Sequence, residues 1–130
     1  MDESFPVVVS AGSLRSPAGD AVQFSHRWTE HGVNLAAPFT GAHLLHAAVA
    51  GCVLNDLFRE AAGGGIALDG VRVSASGGFT DMWESTGIDY QVEVDSPASS
   101  ADLDSLLQQV DALAETPRAI RAGVAVRRVT

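Results

Sequence analysis

The stretch His43–Gly65, HLLHAAVAGCVLNDLFREAAGGG, decides how this chain is read. Apolar residues fill almost every position from Leu44 to Leu54. They point in nearly all directions around a helix axis, and such a helix is buried on most sides. Thr40 stands where a capping hydroxyl starts a helix, and Gly63-Gly64-Gly65 accept the left-handed backbone that finishes one. The expected helix runs from Gly41 to about Ala62, roughly 22 residues or about 33 Å at the usual rise. At its centre lies Cys52, the single cysteine of the chain.

Outward from this helix the pattern is that of strands and one further helix. Upstream, Pro6–Arg15 and Ala21–Trp28 carry β-branched and aromatic residues and flank the turn-forming Ser16-Pro17-Ala18-Gly19-Asp20, which predicts a hairpin. Thr29–Phe39 has no period and contains Gly32, Asn34 and Pro38, so it is read as a loop. Downstream, Val71, Val73, Ala75, Gly77 and Phe79 alternate with polar or small residues, as do Ile88, Tyr90, Val92 and Val94. A period of two means half-buried strands. Ser99 with Asp102 makes a capping pattern ahead of Leu103, Leu106, Leu107, Val110 and Leu113, which share one helical face. Pro117 should break that helix, leaving a short helical turn and a last strand near Val124–Val129. The expectation is an α+β domain over residues 1–130, with an antiparallel sheet, a long buried central helix and a second, amphipathic helix.

At 130 residues with 46% hydrophobic and 18% charged side chains, the chain suits one core, without help from disulfides or metals. All eight basic residues are arginine against sixteen carboxylates, for a formal net charge of −8. That balance repels phosphate backbones and argues against nucleic-acid binding, although Arg118, Arg121, Arg127 and Arg128 gather near the C-terminus. The start MDESFPVVVS lacks the basic and long apolar segments of a secretory signal, which together with the unpaired cysteine gives a cytoplasmic expectation. The apolar run Ala47–Leu54 is far shorter than the roughly 20 residues of a membrane span, so no membrane role is expected.

The segment Leu44-Leu45, Ala47-Ala48, Ala50-Gly51-Cys52, followed by Gly65-Ile66-Ala67-Leu68 and the strand Gly70-Val71-Arg72-Val73, resembles the OsmC/Ohr family of osmotically inducible and organic-hydroperoxide-resistance proteins. The likeness is good from Thr40 to Phe79 and loose over the first forty residues. It implies an intertwined homodimer in which two central helices are enclosed by sheets from both subunits, with the sites at the interface. It further implies a thiol-dependent peroxidase without cofactor or metal, whose attacking cysteine falls on Cys52. The family's resolving cysteine, which usually precedes a proline, falls on Thr116 before Pro117. The family glutamate falls at or beside Ala42. Both are missing, so this chain resembles a divergent member. For the family arginine the candidates are Arg15, with Arg27 an alternative in the same poorly aligned region, and Arg118 or Arg121 if Thr116 lies near Cys52.

A reactive cysteine needs a cation, a helix N-terminus or a base beside it. Cys52 lies more than two turns into its helix, where the dipole has faded. His43 and His46 lie about 180° and 120° around the axis from it at the helical repeat. Asp56 at i+4 shares its face and would raise the thiol pKa. The alternative is an inert core cysteine, since free cysteine packs as a small hydrophobe. The HxxH spacing of His43 and His46, even with His26 or His31, is not the i,i+4 pair of zinc helices. Trp28 and Trp83 are expected in the core or lining a cleft, and Asp81, Glu84, Asp102, Asp104, Asp111 and Glu115 on solvated faces.

Two functions therefore stand side by side. One is a divergent protein without efficient two-cysteine peroxidase activity, with an interface cleft for a small hydrophobic ligand. The other is a one-cysteine organic hydroperoxide reductase in which an external thiol reduces oxidised Cys52.

Overall fold

The long helix forms as its ends dictate. In the computed structural model, which describes residues 3–16, 19 and 21–129, α1 spans Gly41–Gly64. The Thr40 side chain accepts the His43 N–H, satisfying one of the free donors at the helix start. At the other end Gly65 takes φ 72°, and the Gly65 and Ile66 N–H groups both donate to the Ala61 carbonyl. A β-carbon would be strained at that left-handed turn.

Around α1 the order is β1 (Val7–Gly12), β2 (Val22–Phe24), β3 (Val33–Ala36), then, after the helix, β4 (Gly70–Phe79), β5 (Ser85–Asp95), α2 (Ser100–Leu113) and α3 (Glu115–Ala122). The strands form one antiparallel sheet in the order β2-β3-β1-β4-β5. Strand alternation puts Val7, Val9 and Ala11 opposite Ala75, Val73 and Val71 on one face. Against this face α1 buries Val53, Leu54, Leu57, Phe58 and Ala61. On α2, capped by the Ser99 side chain, Leu106 and Val110 close the core. The Tyr90 hydroxyl of β5 donates to Asp111 of α2, and Arg121 of α3 also reaches Asp111. Burial and the Asp111 carboxylate push the Tyr90 phenol up to about 12. The α+β reading, the central helix, the β4–β5 strands and the Ser99-capped helix all match the sequence expectation.

Several expectations are corrected. β1 and β2 are not a hairpin: β3, within the segment read as a loop, lies between them. Its four residues, VNLA, are too few to show a period between Gly32 and Pro38. The proposed turn at Ser16–Asp20 falls partly on Pro17, Ala18 and Asp20, outside the described residues. The chain breaks at Ala114 (ψ 125°) rather than at Pro117. Pro117 instead sits in the first turn of α3, where a missing N–H is tolerated. Residues 123–129 form no strand: Val124, Val126 and Val129 stand exposed, with no sheet edge hydrogen-bonded to them. Trp28 packs against the core, whereas Trp83 is 69% exposed at φ 60°. α1 is also long and apolar enough to cross a membrane by length and composition, more than the run Ala47–Leu54 suggested. Of its apolar residues, Ala50, Val53, Leu54, Leu57, Phe58 and Ala61 join the core with the sheet and α2, while Leu44 stands exposed.

Leu57 is fully buried between α1 and the sheet. Leu57→Ala is expected to lower the unfolding free energy by about 2–5 kcal/mol, read as a shift of the urea midpoint at constant slope.

Candidate functional site

Cys52 lies at the edge of the core, next to the buried Val53 and Leu54, with its sulfur partly accessible. The break between α2 and α3 brings two consecutive residues against it. The thiol lies 3.4 Å from Glu115 Oε2, to which it donates, and the Thr116 backbone N–H donates to Sγ at 3.4 Å. Asp56, one turn further along α1, places Oδ2 3.9 Å from the sulfur and is 1% exposed. Arg59 extends the same helical stripe and pairs with Asp56 Oδ1 at 3.2 Å and Glu115 Oε1 at 3.3 Å. Residues i, i+4 and i+7 are neighbours on one helix face, so α1 alone lines up Cys52, Asp56 and Arg59.

The electrostatics favour a protonated sulfur. Burial pushes the Cys52 thiol up, the Thr116 contact draws it back, and Asp56 and Glu115 push it up again. Burial likewise raises the Asp56 carboxyl against the opposing Asn55 bond and Arg59 charge. Glu115 is held below the usual carboxylate range, first by a bond from its own backbone N–H and then by the Cys52 thiol. Of the two carboxyls, Asp56 is therefore the one that keeps a proton longer. The ligand atoms of Cys52, Asp56 and Glu115 lie within 4.8 Å of one another, a donor set that suits a divalent metal. Arg59 is paired with both carboxylates, so the thiol sits as a hydrogen-bond donor at the edge of an arginine–carboxylate cluster.

A family model described as OsmC-like protein matches residues 36–127, more than half of the chain. The chain belongs to the OsmC-like family. An OsmC-like hydroperoxide resistance protein from Jannaschia sp. CCS1 shares the fold at 12% identity, with a TM-score of 0.52 over 95% of this chain and 92% of that one. No curated protein matches the chain.

Among the residues that the OsmC resemblance singled out, Thr116 is brought to Cys52. Ala42 lies in the first turn of α1, which carries no acidic side chain. Arg15 is not among the sulfur's hydrogen-bond partners; it donates weakly to the His31 carbonyl, at 3.4 Å, and borders a cavity with Trp28 and Phe58. Arg27 stacks over Trp28 at 4.9 Å. Arg118 lies on the exposed face of α3 and Arg121 is held by Asp111. The histidines also separate: His43 bonds Thr40, His46 bonds the Phe5 carbonyl, and His26 bonds Thr29 and Asn55.

Sequence reasoning missed Arg59, and it put Glu115 on a solvated face without foreseeing its contact with the thiol. Glu115 is indeed exposed, yet it contacts the thiol. The i, i+4, i+7 spacing was the available signal for Arg59; for Glu115 the signal was its position one residue before Thr116. Replacing Glu115 with glutamine removes a negative charge beside the sulfur and leaves Arg59 paired with Asp56 and Glu60. Alkylation of Cys52 by iodoacetamide at pH 7 is expected to accelerate about threefold to tenfold, with the rate profile shifted to lower pH.

Proposed function

We propose that this OsmC-like protein is a divergent member whose Cys52 rests as a protonated thiol and that it does not run an efficient two-cysteine peroxidase cycle. The observation that carries this reading is the placement of two carboxylates and a threonine around the only cysteine. A thiol hydrogen-bonded to a carboxylate is a weaker nucleophile than a thiolate facing a cation. No second cysteine is present to close a disulfide.

An apolar cleft of about 370 Å³, not lined by Cys52, runs between α1 and the β2–β3 side of the sheet. Phe24, Leu35, Leu44, Ala47 and Gly51 line it, with His26 and Asn55 as polar groups. Its size and lining suit a small hydrophobic molecule. We read the same side of α1 as the contact face of a homodimer, because Leu44 of α1 and Val22 and Phe24 of β2 are exposed in the single chain. Uncovered apolar side chains gathered on one side mark association sites. Light scattering at micromolar concentration should give twice the 13.5 kDa chain mass; a stable monomer would remove the dimer. An unpaired thiol also fits a reducing, cytoplasmic setting.

A second reading rests on the Thr116 N–H to Sγ bond and the nearby Arg59, both of which favour a thiolate once Glu115 is displaced. In that cycle the thiolate attacks the outer peroxide oxygen of an organic hydroperoxide. The O–O bond breaks, an alcohol leaves after protonation, and Cys52 becomes a sulfenic acid. Two external thiols then reduce it, releasing water and their own disulfide.

The two readings separate in one experiment. With cumene hydroperoxide and excess dithiol, the first expects turnover little above that of Cys52→Ser and slow gain of one oxygen on the intact mass. Rapid, Cys52-dependent consumption selects the second.

A further inference from the structure

Among the described residues, one place gathers three metal-ligating side chains, Cys52, Asp56 and Glu115, each with a ligand atom within 4.8 Å of the others. Cys52 and Asp56 stand at i and i+4 on α1, the spacing at which helical zinc ligands pair. Glu115 closes the group from the start of α3. The carboxylate oxygens that meet the sulfur are Glu115 Oε2 at 3.4 Å and Asp56 Oδ2 at 3.9 Å. Zinc bonds a thiolate at about 2.3 Å and a carboxylate oxygen at about 2.0–2.2 Å, so a tetrahedral site has sulfur–oxygen edges of roughly 3.6 Å. The two distances in this cluster fall on either side of that edge.

Arg59 does not occupy these positions. Its guanidinium pairs with Asp56 Oδ1 and Glu115 Oε1, the other oxygen of each carboxylate, and Asn55 Nδ2 also donates to Asp56 Oδ1. Asp56 is 1% exposed, yet its Oδ2 receives no N–H bond from the described residues and faces the sulfur at a distance long for a thiol bond. A buried carboxylate oxygen left without a strong donor calls for a positive partner. The Thr116 N–H donates to Sγ. Each of the three ligand groups is thus oriented by a bond from outside the trio, as metal ligands are by their outer partners.

We propose that Cys52, Asp56 and Glu115 form a three-ligand site for zinc or a divalent metal of like softness, with water as the fourth ligand on the exposed side. The sulfur excludes magnesium and calcium, which take shells of oxygen, whereas zinc accepts sulfur and carboxylate together. Charge fits as well. Three anionic ligands, the Arg59 guanidinium and a divalent ion leave no net charge, while the same ligands without the ion carry two uncompensated negative charges. On binding, the S–H bond of Cys52 breaks and its proton passes to solvent. The sulfur and the two inner oxygens then donate lone pairs to the ion and displace waters from it.

The inference concerns the same cluster as the proposed function but neither reading of its peroxide chemistry, and its test uses no peroxide. The full chain, stripped with EDTA and kept reduced by a phosphine, is titrated with zinc chloride by calorimetry and with cobalt chloride by absorption. One zinc ion per chain should bind with a dissociation constant below about 100 µM, and cobalt should produce a thiolate-to-metal charge-transfer band. Cys52→Ser should abolish that band and weaken zinc binding by about tenfold or more. Glu115→Gln, at an exposed side chain, should weaken zinc to a similar degree, and it carries the test should Cys52→Ser fail to fold. Weaker binding by the wild-type chain, or a cobalt complex without the band, overturns the inference. So does zinc affinity unchanged in either variant, which would assign the ion to histidines such as His26, His31 or His43.

Discussion

Everything in this molecule hangs on one apolar contact, the seating of α1 against the valine face of β1 and β4. Val53, Leu54, Leu57, Phe58 and Ala61 meet Val7, Val9, Val71 and Val73 in one core. That contact fixes the rotation of the helix about its own axis. With the Leu54–Leu57–Phe58 side turned inward, Cys52, Asp56 and Arg59 come out along the flank that faces the start of α3. The site is thus a consequence of helix phase: 100° of rotation would put the sulfur among valines.

The same contact explains an unusual mixture at the site. Asp56 is buried with the core residues because it is one turn from Cys52 and one residue from Leu57. A buried carboxylate requires partners, and it has them in Arg59 and Asn55. The partners that make Asp56 tolerable are also those that govern the charge beside the sulfur. Stability and thiol reactivity are therefore set by overlapping groups.

Long, locally encoded features were legible in the sequence. Thr40, Gly65 and Ser99 act at the helix ends where their chemistry places them, and the alternation along β4 and β5 is long enough to read. β3 was hidden because four residues carry barely two periods and because its neighbours, β1 and β2, are brought to it from a distance. The tail valines have the composition of a strand, but a strand is completed by an edge, which composition does not supply. Near Cys52, helix spacing already placed Asp56 one turn away, and the resemblance pointed to Thr116 as a neighbour. The Glu115 contact was hidden because an exposed residue can still touch a half-exposed atom, and Arg59 because the candidate cations, Arg15, Arg27, Arg118 and Arg121, all lay outside α1.

The break at Ala114 gives α3 a mechanical hold on the chemistry. Both groups that reach the sulfur from outside α1 belong to the first two residues of this short helix. A small tilt of α3 would move the hydrogen-bond acceptor and the donor together. The proton affinity of Cys52 is therefore a gauge of how firmly the C-terminal end of the chain is docked.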